Sequence, residues 1–136
     1  MGRPRSIAII GAGPSGSALA AFLAKEGRDV VLFVHGKRPP IIVGESLVPA
    51  VVPYLRRLGI EQEVAAFSIW KGGATFVFGN DGRMSFRFHE VRDAKTTYSY
   101  NVPRDRFDAL CVEAARRAGA RVVEYRARIE RDGDSD

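Results

Sequence analysis

The stretch that most constrains this chain is Gly11–Gly16, a glycine-rich turn with the sequence Gly-Ala-Gly-Pro-Ser-Gly. It directly follows Ser6–Ile10, a short and continuously apolar run that predicts a buried parallel strand. It directly precedes Ser17–Glu26, whose apolar spacing predicts a helix, and Asp29–Val34 predicts a second strand. A strand, a turn with glycines at this spacing, a helix and a second strand predict a βαβ unit that binds a dinucleotide.

The residues of this turn have separate physical roles. Gly11 permits the tight bend, Gly13 lets the backbone approach a pyrophosphate, and Gly16 lets the helix pack closely on the sheet. The exposed amides and the positive end of the helix then hold the phosphates. A glycine-rich turn without a ligand is the alternative. The predicted cofactor contacts in the turn are Gly11, Gly13, Pro14, Ser15 and Gly16.

One element of the usual dinucleotide pattern is missing. An acidic residue about twenty positions further on, at the end of the second strand, normally binds the adenosine ribose. That position is Val34, followed by His35, and the nearest carboxylate in the strand is Asp29 at its start. Either His35 or backbone groups take over, which makes His35 a candidate contact, or the nucleotide binds weakly. On this basis Val34→Glu is expected to tighten cofactor binding.

The rest of the chain predicts further helices and strands around one core. Gly79-Asn80-Asp81-Gly82 predicts a hairpin turn, and His35–Val43, with two prolines, predicts a loop. The turn signal Asp132-Gly133-Asp134 at the end of the sequence predicts a partner strand beyond it, and hence a fragment. We expect an α/β domain over 1–136: a βαβ unit with inserted antiparallel strands in one mixed sheet. The predicted helices are Ala50–Leu58, Glu61–Phe67 and Arg104–Ala118, and the strands are Thr75–Phe78, Met84–Phe88, Thr97–Tyr100 and Arg121–Glu130.

Composition excludes several classes of function. The net charge of +5 comes from 21 basic and 16 acidic residues, and the basic residues are interrupted by acidic ones, which is typical of solvated faces rather than of a nucleic-acid site. No apolar stretch has the length of a membrane span, so we expect a cytoplasmic protein without membrane insertion. The single cysteine, Cys111, is expected to pack in the core. His35 and His89 lack metal-ligand spacing, so no metal is predicted.

Three further segments carry a resemblance to a known family. They are Gly44–Pro49 (Gly-Glu-Ser-Leu-Val-Pro), Trp70–Phe76 (Trp-Lys-Gly-Gly-Ala-Thr-Phe) and Tyr100–Asp108. With the glycine turn, they resemble flavin-dependent halogenases and their relatives, the single-component flavin hydroxylases and geranylgeranyl reductases. The resemblance implies FAD as the cofactor. It also implies a Rossmann-like, glutathione-reductase-type flavoprotein fold that is incomplete at the carboxyl end.

The resemblance also implies roles for individual residues. Val43 and Ser46 match the loop that covers the flavin, while Glu45 is either a structural carboxylate or a cofactor contact. Arg104 opens a helix, where the dipole disfavours a cation, so it either grips the cofactor or is an ordinary surface arginine. Lys71 matches the family's catalytic lysine. Gly72 and Gly73 would bend the backbone beside it, and Trp70 would help to exclude water from a partly buried, reactive amine; a surface lysine at a strand entrance is the alternative.

Together these features predict an FAD-dependent halogenase. In that reading reduced flavin, oxygen and halide give hypohalous acid, and Lys71 directs it to an electron-rich aromatic substrate, small or carrier-tethered. Reduced FAD would come from a separate flavin reductase. The alternatives are a flavin hydroxylase or geranylgeranyl-reductase-like enzyme on the same domain, and an incomplete flavoprotein without activity of its own.

Overall fold

The computed structural model describes residues 6–36, 43–80 and 82–129. The chain divides into two compact units, one formed by Met1–Arg38 with Cys111–Asp136 and the other by Pro39–Leu110. We call them the nucleotide unit and the insert unit. The strands are β1 (Ile7–Ile10), β2 (Val30–Phe33), β3 (Ile69–Lys71), β4 (Gly73–Phe78), β5 (Gly82–Arg87), β6 (Ser99–Asn101) and β7 (Arg121–Val123). The helices are α1 (Pro14–Lys25), α2 (Val52–Leu58), α3 (Glu61–Phe67) and α4 (Arg104–Arg117).

The nucleotide unit contains a parallel sheet in the order β1-β2-β7. Ile7 to Ile10 pair with Val30 to Phe33, and the apolar β1 and β2 are joined by α1, so the predicted βαβ unit is confirmed. The helix begins at Pro14 rather than at Ser17, because a proline is favoured in the first turn, where its missing N–H is not needed.

The third strand of this sheet is shorter than the sequence predicts. Only Arg121–Val123 pairs with β2, and residues 124–129 continue without a ladder partner among the described residues. The alternation that predicted a strand to Glu130 is therefore misleading here. The turn signal at Asp132–Asp134 and the two prolines of the 37–42 segment lie outside the described residues.

The insert unit holds two antiparallel pairs that are separate from the parallel sheet. β4 pairs with β5 around the predicted hairpin, from Gly73 opposite Arg87 to Phe78 opposite Gly82, and β3 pairs with β6. The inserted antiparallel strands are thus confirmed, but the single mixed sheet is wrong, because the described strands form three sheets. β3 was not predicted, and the second strand of the hairpin ends before Phe88, which lies in a short 3-10 turn.

Two short helices make an apolar layer of the insert unit. A 3-10 turn over Pro49–Val51 leads into α2, and Gly59, with φ of 80°, ends it in the left-handed conformation that glycine favours. Val52, Leu55 and Val64 of α2 and α3 are buried. Among the described residues, no helix combines the length and apolar character needed to cross a membrane.

Candidate functional site

The glycine turn has the geometry of a phosphate-binding turn. Gly11 has φ of 103°, a left-handed value that favours glycine, and Gly13 caps α1 with no side-chain hydrogen bond. A Cβ on Gly16 would overlap the carbonyl oxygen of Gly11, so this glycine allows the helix to lie against the turn. A Cβ on Gly13 would meet no atom within 4 Å, so the space beside this residue is open to a ligand.

The start of α1 carries unused donors and no opposing charge. Pro14 has no N–H, and the amides of Ser15 and Gly16 stand in the first turn, where an α-helix offers no intrahelical acceptor. No acidic residue lies in that turn. The positive end of the helix dipole is therefore not neutralised locally, which fits a phosphate-bearing cofactor. The contacts predicted for Gly11, Gly13, Pro14, Ser15 and Gly16 remain predictions.

The ribose position differs from the usual pattern in the structure as well. Val34 follows β2 at the carboxyl edge of the sheet, where Gly11 N donates to Phe33 O at 3.1 Å, and His35 next to it is exposed. Asp29 lies at the opposite edge and pairs with Arg121 at 3.7 Å. Asp29 therefore does not replace the missing acid, and the role of His35 remains a prediction.

In the insert unit, the Val43–Leu47 loop runs along β6 and is held by backbone bonds. Leu47 N donates to Tyr100 O at 2.9 Å, and Val102 N donates to Glu45 O at 2.8 Å. Ser46 forms an isolated antiparallel bridge with Asn101 between these bonds. The loop thus has a register fixed by main-chain groups, which leaves its side chains available for other contacts.

Arg104 fixes the beginning of the same loop. Its Nη1 donates to Val43 O at 2.6 Å, while Nε and Nη2 donate to the two carboxylate oxygens of Asp108 at 2.8 and 3.2 Å. Asp108 is buried one turn along α4, so its carboxylate offsets the unfavourable position of a cation at a helix start. Gly44 leaves room for the guanidinium, since a Cβ there would lie 3.1 Å from Arg104 Nη1.

Lys71 points its amine at the loop. Its Nζ donates to Ser46 Oγ at 2.5 Å and to Leu47 O at 3.0 Å, and it lies 5.5 Å from the centre of the Phe88 ring. The cation is thus held by two oxygens and the face of an aromatic ring. The structure therefore joins Lys71 with Ser46, two residues that were predicted from separate segments.

The expected role of Trp70 is wrong. Lys71 is the last residue of β3, and successive side chains of a strand point to opposite faces. Trp70 is 61% exposed and stacks on Tyr98, with 6.4 Å between the ring centres. A Cβ on Gly72 would overlap the Trp70 ring, so Gly72 makes room for the indole. The apolar neighbour of the amine is Phe88, which local sequence does not indicate because it lies beyond the hairpin.

A cavity of about 840 Å³ lies on the insert unit, and Phe88, whose ring faces the Lys71 amine, is one of its lining residues. Its lining is mainly apolar, and Thr96, which is 7% exposed, contributes a buried hydroxyl with no hydrogen-bond partner among the described residues. No local sequence pattern indicates this cavity. Its main lining residues are Val48, Tyr54, Phe86, Phe88, Val91 and Thr96.

Glu61 lies at the centre of a polar cluster next to β6. Arg56 Nε donates to Glu61 Oε2 at 2.7 Å, and the hydroxyls of Tyr98 and Tyr100 donate to Glu61 Oε1. Burial raises the pKa of the Glu61 carboxyl, but the hydrogen bonds from Tyr98 and Arg56 outweigh it, so that the net pKa is lowered. Burial, together with the charges of its neighbours, raises the pKa of Tyr100 to about 12. This cluster ties α2 and α3 to β6, and thus supports the strand that holds the Val43–Leu47 loop.

Comparison with known protein families agrees with this arrangement. The model of the FAD binding domain family matches residues 5–135. The chain belongs to this family. Its fold is therefore that of an FAD-binding domain, and FAD is the cofactor, as predicted from the glycine turn and the resemblance. Among the described residues, no three His, Cys, Asp or Glu side chains gather as a metal site, and the absence of a metal remains a prediction.

The relatives of this chain include flavin-dependent halogenases. It is 36% identical over 127 residues to the flavin-dependent halogenase rdc2 of Metacordyceps chlamydosporia, covering 91% of this chain and 23% of that protein. It is 33% identical over 131 residues to tryptophan 2-halogenase of Chondromyces crocatus, covering 94% and 24%. The chain thus spans about a quarter of the length of these curated relatives.

Solved structures give the same result. The myxobacterial chondrochloren halogenase CndH superposes with a TM-score of 0.76 at 35% identity, covering 89% of this chain and 29% of that one. The flavin-dependent halogenase CmlS superposes with a TM-score of 0.77 at 33% identity, covering 91% and 23%. The predicted resemblance to flavin-dependent halogenases is therefore confirmed.

Proposed function

We propose that this domain serves an FAD-dependent halogenase in which Lys71 is the catalytic residue. The observation that carries the proposal is the position of Lys71 Nζ, which binds Ser46 Oγ and Leu47 O inside the Gly-Glu-Ser loop. The relatives named above, which include a tryptophan 2-halogenase, support the same activity. FAD, when bound and reduced, supplies the electrons that activate oxygen, and halide is the co-substrate.

In this proposal, different residues of the chain have different roles. The turn from Gly11 to Gly16 binds the phosphates, and Val43 and Ser46 contact the flavin from the loop. Arg104 positions the start of this loop, because its guanidinium donates a hydrogen bond to the Val43 carbonyl. Lys71 binds hypohalous acid by hydrogen bonds and orients its halogen towards an aromatic carbon. That carbon takes the halogen and loses a proton, so that the oxygen leaves as water.

The cavity beside Phe88 supports a small aromatic substrate. Its volume of about 840 Å³ lies within the range of small-molecule sites, and its aromatic and aliphatic lining matches an apolar ring. A carrier-tethered substrate has a precedent among the relatives, one of which is a chlorinase of pyrrole-2-carbonyl groups on a peptidyl carrier protein. A cytoplasmic location and a separate flavin reductase belong to the same proposal.

The test uses the full-length protein with a flavin reductase, FAD, NADH, oxygen and either chloride or bromide, and a panel of phenols, indoles and pyrroles. Halogenated product is expected with wild type. Lys71→Ala is expected to lose product by at least about a hundredfold while reduced FAD is still reoxidised by oxygen. Lys25→Ala, on the far end of α1, is the matched control and is expected to keep full activity. Native product formation by Lys71→Ala would refute the assignment.

The second candidate is a flavin hydroxylase. It is favoured by the likeness in fold to p-nitrophenol 4-monooxygenase PnpA, with a TM-score of 0.71 at 19% identity. A hydroxylase of this type would oxidise NADPH without a separate reductase and would add oxygen, not halogen, to the phenols. Unaided NADPH consumption with a hydroxylated product would therefore select this function over halogenation.

A further inference from the structure

In this structure, the position at which the dinucleotide pattern expects an acidic residue for the adenosine ribose has no carboxylate. In the usual pattern this acid ends the second strand and hydrogen-bonds the ribose hydroxyls. Here that position is Val34, and Asp29 lies at the opposite edge of the sheet, where it pairs with Arg121. A buried ribose hydroxyl without a partner would weaken binding, so a substitute is expected at the carboxyl edge.

The neighbouring strand β7 supplies a carboxylate at that edge. β2 and β7 run parallel, with Phe33 opposite Val123. Val34 N donates to Val123 O at 2.9 Å, a bond that completes the pairing of Phe33 with Val123, the last pair of this ladder. Val34 and Glu124 thus each follow directly after the last paired residue of their strand, at the carboxyl edge of the sheet, and the side chain of Glu124 is exposed.

The residues after Glu124 border a cavity in the same unit. Its volume is about 680 Å³, and it is lined by Ile10, the last residue of β1, together with Arg126, Ala127, Arg128 and Ile129. Ile10 and Ile129 are 55% and 79% exposed and offer apolar contact to a base, while a guanidinium can stack on it. The cavity thus offers apolar and guanidinium contacts to a base at the end of β1, in the same unit as Glu124.

We propose that Glu124 binds the adenosine ribose hydroxyls of FAD and replaces the acid that is missing at position 34. The proposal rests on FAD binding but not on the halogenation step. It also changes the expectation for Val34→Glu. In wild type, a second carboxylate at the same edge of the sheet would repel Glu124 and bring little gain, whereas without Glu124 the same substitution would restore the contact.

The experiment measures FAD affinity of the full-length protein by flavin fluorescence and by calorimetry. Glu124→Ala is expected to weaken FAD binding by about tenfold to a hundredfold, the range for one hydrogen bond to a charged group. Asp29→Ala removes a carboxylate from the other edge of the same sheet and is expected to change affinity by less than about twofold. The double variant Glu124→Ala with Val34→Glu is expected to recover most of the loss.

A ligand analogue distinguishes a ribose contact from a general charge effect. Wild type is expected to bind FAD with a 2′-deoxyadenosine group about tenfold more weakly than FAD, whereas Glu124→Ala is expected to bind the two alike. Native affinity of Glu124→Ala, or an equal loss in Asp29→Ala, would overturn the proposal. Because the readout is affinity, a protein that binds FAD in this way but does not halogenate would refute only the proposed function.

Discussion

Adding one methyl group at Gly13 or at Gly16 is expected to separate cofactor binding from folding. Gly13 has φ of −71° and ψ of 177°, which any residue adopts, and its new Cβ would have no neighbour within 4 Å. Gly13→Ala loses at most about 1 kcal/mol at the helix N-cap and gains about 0.4–1 kcal/mol from a less flexible unfolded chain. Its free energy of unfolding should therefore stay within about 1 kcal/mol of wild type.

At Gly16 the same methyl group meets backbone. It would overlap Gly11 O and lie 3.2 Å from Gly11 C and 3.5 Å from Ile9 Cγ2. A carbonyl oxygen cannot rotate away as a side chain can, so the cost lies near the upper end of the about 1–3 kcal/mol typical of overpacking. Alanine regains about 1 kcal/mol of helix propensity. The net loss is about 2 kcal/mol, or a fall in Tm of roughly 8 °C.

The assay combines thermal unfolding without cofactor and FAD titration by flavin fluorescence. Gly13→Ala is expected to unfold like wild type but to bind FAD at least about tenfold more weakly, because its methyl group occupies the space for the pyrophosphate. The larger Gly13→Val should abolish binding. Gly16→Ala should show the lower Tm. A stable Gly16→Ala, or native FAD affinity in Gly13→Val, would refute the reasoning about the turn.

Two further predictions concern the insert unit. Arg104→Ala should lower the free energy of unfolding by about 1–3 kcal/mol and speed amide hydrogen exchange in the Val43–Leu47 loop. Arg104→Lys should restore little of this loss, because a lysine cannot bind Asp108 through two nitrogens. Unchanged amide exchange in Arg104→Ala would contradict this role. Glu61→Gln should lose about 1–2 kcal/mol near neutral pH, since the lowered pKa of the carboxyl stabilises the fold above its ordinary value of 4.5. Wild-type stability should fall as pH drops below that value, and a parallel fall in Glu61→Gln would exclude this carboxyl as the cause.

The nucleotide unit is predictable because its signals are local. The apolar run before Gly11, the glycine spacing and the proline at the helix start act within a few residues of one another, and each agrees with the others. The length of β7 was not predictable, because the alternation of apolar and polar residues up to Glu130 does not show how far the neighbouring strand extends beside it. Pairing ends at Val123, and the sequence of β7 alone does not show this.

The surroundings of Lys71 depend on contacts between distant parts of the chain, which local sequence does not reveal. β3 is short and takes its partner from Asn101 and its neighbours, some thirty residues further on, so no local period reveals it. Once the strand is recognised, alternation places Trp70 and Lys71 on opposite faces. Phe88 becomes the neighbour of the amine only through the hairpin that returns the chain to this place. The sequence therefore indicates the lysine and the loop that it contacts, whose roles remain predictions, but not the ring that faces the amine.

The nucleotide unit is discontinuous along the chain, and this has a consequence for synthesis. β1, α1 and β2 are complete by Phe33, but the pairing partner of Leu32 is Val122. At about 5–20 residues per second, the ribosome makes β7 several seconds after β2. Until then β2 is an open edge that can pair with another chain. We therefore expect nascent or truncated forms that end within the insert unit to depend on chaperones more strongly than the complete domain.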